Sequence, residues 1–274
     1  MSLLSPSQLL VFLAPGRAVA LRRSGLFKPR VEAKAVFTAP EGEGGAGLAG
    51  TAQAYASALR ELGARRVRVV LSNHFVQYLL QPWREDLKDA DEEAAFARHA
   101  FVEVYGQAAI GWSVQVAQMP PEYERVTAAV PSELLQLLGA ETERAGAQLV
   151  SVSPYFIAAF NAWRRQFDGD RPTWLVTHES GRLGLGFVEA GRWRWIRATR
   201  VGEDWSERLP DLIENEAVMA GCSDRPAQVL VFSPATPMLA IRAGTRLPFQ
   251  GLRLEPGPGF SPQTDAEFGL AMIG

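Results

Sequence analysis

The chain has 274 residues, 47% of them hydrophobic and 21% charged, enough apolar content to fill one large core or the cores of two lobes. Its formal net charge of −2 offers no basic footprint for a nucleic-acid backbone or an anionic membrane, and the single cysteine, Cys222, excludes an internal disulfide and a cysteine-based metal framework. The apolar run 9–14 is too short to span a bilayer and lacks the flanks of a cleavable leader, so a soluble cytoplasmic protein without direct membrane insertion is expected.

In chain order, residues 9–13, 17–23 and 31–37 read as three alternating strands; in the third, Val31, Ala33, Ala35 and Phe37 are apolar around the charged Glu32 and Lys34. Ala14, Pro15, Gly16 and Arg17 put Pro and Gly at the two central positions of a type II turn, which makes an antiparallel meander. Leu48, Ala52, Tyr55, Leu59 and Leu62 advance by fours and threes and predict a helix over 48–62, followed by an apolar strand at 67–71. An insertion follows: a strand at 75–80, a helix at 91–105, and strands at 112–118 and 125–130. The charged run 84–93 places acids in the first turn of that helix, where the dipole favours them, and reads as a solvated face or an acidic patch for a basic partner.

A helix at 131–145, with Leu134, Leu138 and Ala145 on one side, and a strand at 148–152 come next. Ser153 as N-cap and Pro154 in the first turn predict a helix start there, continued by Phe156, Phe160, Trp163 and Phe167. Strands at 173–178, 183–189 and 193–200, a helix at 205–220 and a strand at 228–232 then repeat the opening pattern. Asp204 and Glu207 resemble a capping box, and Pro210 would make that helix begin or bend later. Trp193 and Trp195, interleaved with Arg192, Arg194 and Arg197, are read as core tryptophans with arginines on the outer face, in preference to a nucleic-acid platform.

The order 67–72, then Tyr78, Leu79, Leu80, Gln81, Pro82 and Trp83, an acidic helix, Val126 to Pro131 and Gly146 to Pro154 resembles the PilM-type pilus assembly proteins and the cytoplasmic part of GspL-type secretion proteins. The closing stretch 265–274, with Gly269, Leu270 and Ala271, is similar to the helix that ends their fold. The resemblance implies an α/β actin-like ATPase fold of duplicated β-β-β-α-β, RNase H-like lobes. The first lobe would span 1–168, with a small inserted subdomain at about 73–130, and the second 169–274, with a hinge near 168–171. It also implies partners: a peptide from an inner-membrane pilus or secretion protein, held by strand addition or in an apolar groove, and a secretion motor ATPase.

Actin-like ATPases carry D-x-G in each lobe's first hairpin, where amides cradle phosphate and the carboxylate positions hydrated magnesium. Here Ala14 cannot orient magnesium and Pro15 removes an amide donor. The second hairpin, 177–182, offers only Glu179, and the stretch 233–237 lacks the Gly-Gly pair at which adenosine approaches the backbone in that family. Gly16, Arg17, Ser180 and Gly181 are left as vestigial loop positions. The reading is a non-catalytic scaffold with no catalytic residue, no metal ligand and no resident cofactor, ATP with magnesium being unsupported by the motifs. The alternative is a nucleotide-binding actin-like ATPase or small-molecule kinase with unrecognised phosphate loops.

Other motifs are weaker. Gly42, Gly44 and Gly47 satisfy G-x-G-x-x-G, but Glu41 and Glu43 would repel a pyrophosphate, the preceding strand is half polar, and Glu61 falls on a helix, so a loop ahead of the helix is the better reading. His74, His99 and His178 form no metal spacing and are read as structural or surface histidines. Nothing local lowers the pKa of Cys222, and Ser72, Ser153 and Ser233 lie outside any G-x-S-x-G.

Overall fold

A computed structural model describes residues 7–25, 29–40, 47–167, 169, 171–222, 227–236 and 247–274. The chain opens with β1 (Gln8–Ala14), β2 (Arg17–Ser24), β3 (Arg30–Thr38), α1 (Leu48–Leu62) and β4 (Arg66–Leu71). The insertion supplies β5 (Gln77–Gln81), α2 (Ala90–Tyr105), a 3-10 turn (Gly106–Gly111), β6 (Trp112–Val116) and β7 (Arg125–Pro131). Next come α3 (Ser132–Arg144), β8 (Gln148–Pro154) and α4 (Tyr155–Ala162). The second copy is β9 (Thr173–Glu179), β10 (Arg182–Glu189), β11 (Arg192–Arg200), α5 (Trp205–Met219) and β12 (Gln228–Phe232), followed by β13 (Phe249–Gly251) and α6 (Gly269–Met272).

The two copies build sheets of the same topology, in the orders β3-β2-β1-β4-β8 and β11-β10-β9-β12-β13. In each, three strands form an antiparallel meander, and the strand after the helix returns parallel to the first. The insertion forms a third sheet, β5-β7-β6. Met1–Phe75, Pro131–Ala158 and Arg253–Gly274 make one compact unit, and Val76–Val130 and Ala159–Leu252 make the other. The inserted strands thus share a unit with the second sheet, and the C-terminal segment shares one with the first.

In the first unit α1 lies on β1, β2 and β3 and against α3, burying Ala54, Tyr55, Ala58, Leu59 and Leu62. Each larger apolar side chain so buried contributes about 1.5–3 kcal/mol. Thr142 donates its hydroxyl to the Leu138 carbonyl (2.6 Å), so it accepts the Tyr55 hydroxyl (2.6 Å), and burial pushes the Tyr55 phenol up to about 12. Gly146, at φ 67, closes α3 in a Schellman turn, with the Gly146 amide on Glu143 (2.8 Å) and the Ala147 amide on Thr142 (3.0 Å). The C-terminal segment fastens to this unit: the Val31 amide donates to Pro258 (2.9 Å), Lys34 pairs with Asp265 (2.6 Å) and Arg17 pairs with Glu267. Leu270 and Ala271 of α6 are buried.

The predicted helix start at Ser153 is corrected. Ser153 and Pro154 end β8, paired with Val70 and Leu71 of β4, and α4 begins at Tyr155. Strand β8 is the sheet edge, where a proline without an N–H is tolerated.

In the second unit, Trp174, Val176, Leu183, Leu185, Phe187, Val229 and Val231 pack against Trp205, Leu209, Ile213 and Ala217 of α5. Asp204 does precede α5, but its side chain makes no cap; its carbonyl instead accepts the Glu207 and Arg208 amides (3.1 and 3.2 Å), and the helix starts at Trp205 with Pro210 inside it. A Schellman turn on Gly221 (φ 65) ends it, the Gly221 amide bonding Val218 (3.1 Å) and the Cys222 amide bonding Ala217 (2.9 Å). Trp193 is buried, while the Trp195 indole donates to Glu216 (2.7 Å), which also accepts Arg197 (3.0 Å). These tryptophans belong to the fold. On the insertion, Asp89 caps α2 by accepting the Asp91 and Glu92 amides, both at 2.9 Å.

Candidate functional site

The first hairpin is a two-residue turn between Ala14 and Arg17, which pair across β1 and β2. Gly16 sits at φ 65, the conformation that the third residue of a type II turn requires. Its amide donates to the Thr51 hydroxyl of α1 (3.0 Å), which donates in turn to the Gly47 carbonyl (2.9 Å). The Gly16 carbonyl accepts the Ala39 amide (2.8 Å), and Arg17 pairs with Glu267. Thr51 is fully buried. A phosphate loop needs amides aimed outward at an anion; this turn spends its glycine amide on its own helix, beside an alanine and a proline. Thr51→Val should leave that amide without its partner and cost about 1–2 kcal/mol, read as a lower urea midpoint.

The second hairpin repeats the geometry. Glu179 pairs with Arg182 across the Ser180–Gly181 turn, Gly181 has φ 73, and its carbonyl accepts the Val201 amide (3.2 Å), as Gly16 accepts Ala39. Glu179 is buried and stands opposite Arg182, which stands opposite Arg200. Burial lowers the Arg182 pKa and Arg200 lowers it further, while Glu179 pushes the other way. The Glu179 carboxylate thus acts electrostatically on Arg182. Ser180 and Gly181 are exposed.

Beside this turn lies a cluster absent from the sequence-based expectations. The His178 ring stacks on Trp205, with centroids 4.0 Å apart and planes at 16°. Its Nδ1 lies 3.0 Å from the Ser233 hydroxyl, which is 2.5 Å from the Thr236 hydroxyl. The Ser–His spacing is that of a nucleophile and its base. Yet both residues are buried, at 8% and 5% exposure, and burial pushes His178 down to about 4, too weak a base to activate a hydroxyl near neutrality. The cluster ties β9, α5 and the end of β12 together. His178 and Ser233 are 55 residues apart, a pairing that no local pattern reveals.

His74 accompanies Ser72 at the end of β4, with Nδ1 2.9 Å from the hydroxyl, and His99 pairs with Glu103 (3.2 Å) on the exposed face of α2. Cys222 is buried and forms no disulfide. Gly42 and Gly44 of the glycine motif, Asp168 of the expected hinge and Pro237 lie outside the described residues. Among the described residues, no group of three or more His, Cys, Asp or Glu side chains is placed to hold a metal ion.

The sequence matches no protein-family model and no curated protein. The structure, however, is similar to solved ones over nearly its whole length. A PilM–PilN type IV pilus biogenesis complex matches with a TM-score of 0.64 and 16% identity, over 97% of this chain and 94% of that one. The cytoplasmic domain of EpsL, an inner membrane component of the type II secretion system of Vibrio cholerae, matches at 0.61 and 11%, over 97% and 94%. A protein of unknown function from Bacteroides thetaiotaomicron, described as having an actin-like ATPase fold, matches at 0.54 and 7%, over 96% of each chain. With two like-ordered mixed sheets, each carrying the β-β-β-α-β pattern, the chain has the duplicated, RNase H-like architecture of the actin-like ATPase fold.

Proposed function

We propose that this protein is a non-catalytic cytoplasmic scaffold of a type IV pilus or type II secretion assembly at the inner membrane, binding a segment of a partner membrane protein and engaging a motor ATPase. The observation that carries this reading is the first hairpin, whose glycine amide is bonded to Thr51 and whose acid position is Ala14. Likeness to a chain of a PilM–PilN complex and to the cytoplasmic domain of EpsL supports the same direction. Gly16, Arg17, Ser180 and Gly181 are, on this reading, remnants of two phosphate turns, and the sequence repeat 1–168 and 169–274 is the remnant of an ATPase's two lobes. No helix among the described residues is long and apolar enough to cross a membrane, which suits recruitment through a partner.

The test uses fluorescein-labelled peptides spanning the cytoplasmic segments of inner-membrane pilus and secretion proteins from the same cell. One segment should give saturable anisotropy that ATP and magnesium leave unchanged. In parallel, Ala14→Asp should release no more phosphate from ATP than the parent, because Glu179 of the second turn is held opposite Arg182. Absence of any peptide binding, together with turnover in either protein, would replace the scaffold with an ATPase or kinase.

A further inference from the structure

The face of the first sheet that points away from α1 carries two groups of cations, one matched by acids and one not. Alternation puts Arg17, Leu21 and Arg23 of β2 on this face, with Gln8, Leu10 and Phe12 of β1 and Arg66, Arg68 and Val70 of β4, because Arg23 and Arg66 both stand opposite Gln8. Phe12 meets Tyr155 there, with ring centroids 5.4 Å apart, while Arg22, on the other face, donates to the Leu62 carbonyl of α1 (2.9 Å). The C-terminal segment covers part of this face and brings an acid to each cation it meets. Glu267 pairs with Arg17, and Asp265 pairs with Lys34 (2.6 Å), which stands opposite Leu21.

The Arg23 end of the face has no such acid among the described residues. Arg23 donates Nε and Nη2 to the neutral Gln8 Oε1 (3.0 and 2.7 Å). Arg66 is exposed and Arg68 partly exposed, and neither side chain forms a hydrogen bond or ion pair with a described residue. Burial lowers the Arg23 pKa and Arg68 lowers it further, so these two guanidinium groups repel each other. Both flanking ladders are bulged at this end: the β2–β3 register shifts between Arg22 and Arg23, and the β4–β8 register between Val67 and Arg68. Residues 1–6 and 26–28, which adjoin Gln8 and Arg23 in the chain, contain no Asp or Glu. Glu32 is taken by Arg22 (3.3 Å), and Glu255, ahead of Pro258, is exposed without an ion pair to a described residue.

Charge complementarity sets the chemistry of the occupant. Partly buried cations that repel one another and lack a counter-ion are unfavourable in the folded chain; a neutral or basic group would leave that repulsion in place, whereas a carboxylate removes it. Guanidinium groups match carboxylates fork to fork. Strands β2 and β4 flank β1 and so lie about 10 Å apart, a span that carboxylates about 7 Å apart, at alternate positions of an extended segment, bridge through the length of the arginine side chains. The chain's own C-terminal segment already docks on this face through Asp265 and Glu267. We infer that the part of the face bearing Arg23, Arg66 and Arg68 docks an acidic segment of a partner protein, its Asp or Glu carboxylates bridging Arg23 and Arg68. That the partner belongs to a pilus or secretion assembly rests on the scaffold reading above; the charge complementarity does not.

The probe is a rhodamine-labelled, end-capped peptide alternating glutamate with serine, titrated into the full chain at low ionic strength, where charge pairs are least screened. Its anisotropy should rise to saturation, and the same peptide with glutamine for glutamate should bind at least about tenfold more weakly. Arg68→Gln should weaken the glutamate peptide about tenfold, the size of one charge-assisted hydrogen bond, without lowering the urea midpoint, because the Arg68 charge opposes Arg23. Arg66→Gln, at an exposed side chain, should weaken it similarly and serves if Arg68→Gln folds poorly. Arg84→Gln, an equal change of net charge on the insertion, where Arg84 pairs with Asp86, should leave the affinity unchanged. No saturable binding, equal binding of the glutamine peptide, or equal losses in the Arg84 variant and the other two would overturn the inference. So would a glutamate peptide that fails to bind while phosphatidylglycerol vesicles sediment the parent and not Arg68→Gln, which would assign the face to lipid phosphate. The probe carries no pilus or secretion sequence, so its failure and a failure of pilus-peptide capture are separate results.

Discussion

Taking the protein from pH 7 to pH 4 should remove about 3 kcal/mol of folding stability through His178 alone, the value of a shift from 6.5 to about 4 at 1.36 kcal/mol per unit. The cause is burial against Trp205, with Ser233 at Nδ1. Below pH 6.5 the unfolded chain takes a proton that the folded ring refuses until about 4, so stability is whole above 6.5 and declines as the pH falls through that window. Asp265, held below its ordinary 3.8 chiefly by its bond to Lys34, loses its contribution only at lower pH. Urea midpoints followed by tryptophan fluorescence between pH 7 and 4 measure the slope. His178→Phe should keep the stack on Trp205 and flatten that slope, whatever its effect at pH 7; an unchanged slope would mean that another group is responsible.

Gly259→Ala should destabilise the first unit by about 3 kcal/mol, a left-handed backbone penalty of about 1–2 added to overpacking. Gly259 has φ +79, and a Cβ there would sit 2.1 Å from the Val31 carbonyl oxygen of β3. Backbone cannot yield as the tip of a side chain can. Moving residue 259 would draw Pro258 from the Val31 amide and loosen the pairs Lys34–Asp265 and Arg17–Glu267. Gly257→Ala, two residues away with open space at its Cβ, is the control and should change the urea midpoint little. Equal effects at the two positions would show that the C-terminal segment is not docked on β3 as described.

The elements that could be read from the sequence are those with local causes. Alternation at Val31 and Phe37, helical spacing through Tyr55 and Leu59, and the Pro15-Gly16 turn each produced the element expected, and the repetition of that series gave the duplicated fold. Ser153-Pro154 misled because a helix start and an edge-strand end accept the same residues; the pairing with Val70 and Leu71 decided between them. Asp204 marked the helix boundary correctly, while the cap is made by its carbonyl.

The site was legible only in what it lacks. Ala14 and Pro15 were visible as departures from D-x-G, but the bond from Gly16 to Thr51 spans 35 residues and follows from packing α1 under the turn. Likewise Ser233 is brought beside His178 by sheet order, which no spacing rule encodes. Such pairings decide whether a turn's amides face outward or are used within the fold.

The actin-like ATPase fold is kept while the glycine amide of its first hairpin turn is bonded to its own helix. Isothermal titration calorimetry of the protein with ATP, in the presence and absence of magnesium, tests it most directly. No saturable, magnesium-dependent heat is expected, in the parent protein and in Ala14→Asp alike. Magnesium-dependent binding in the parent protein, weakened by Gly16→Ala, would show the turn still cradling phosphate and would contradict it.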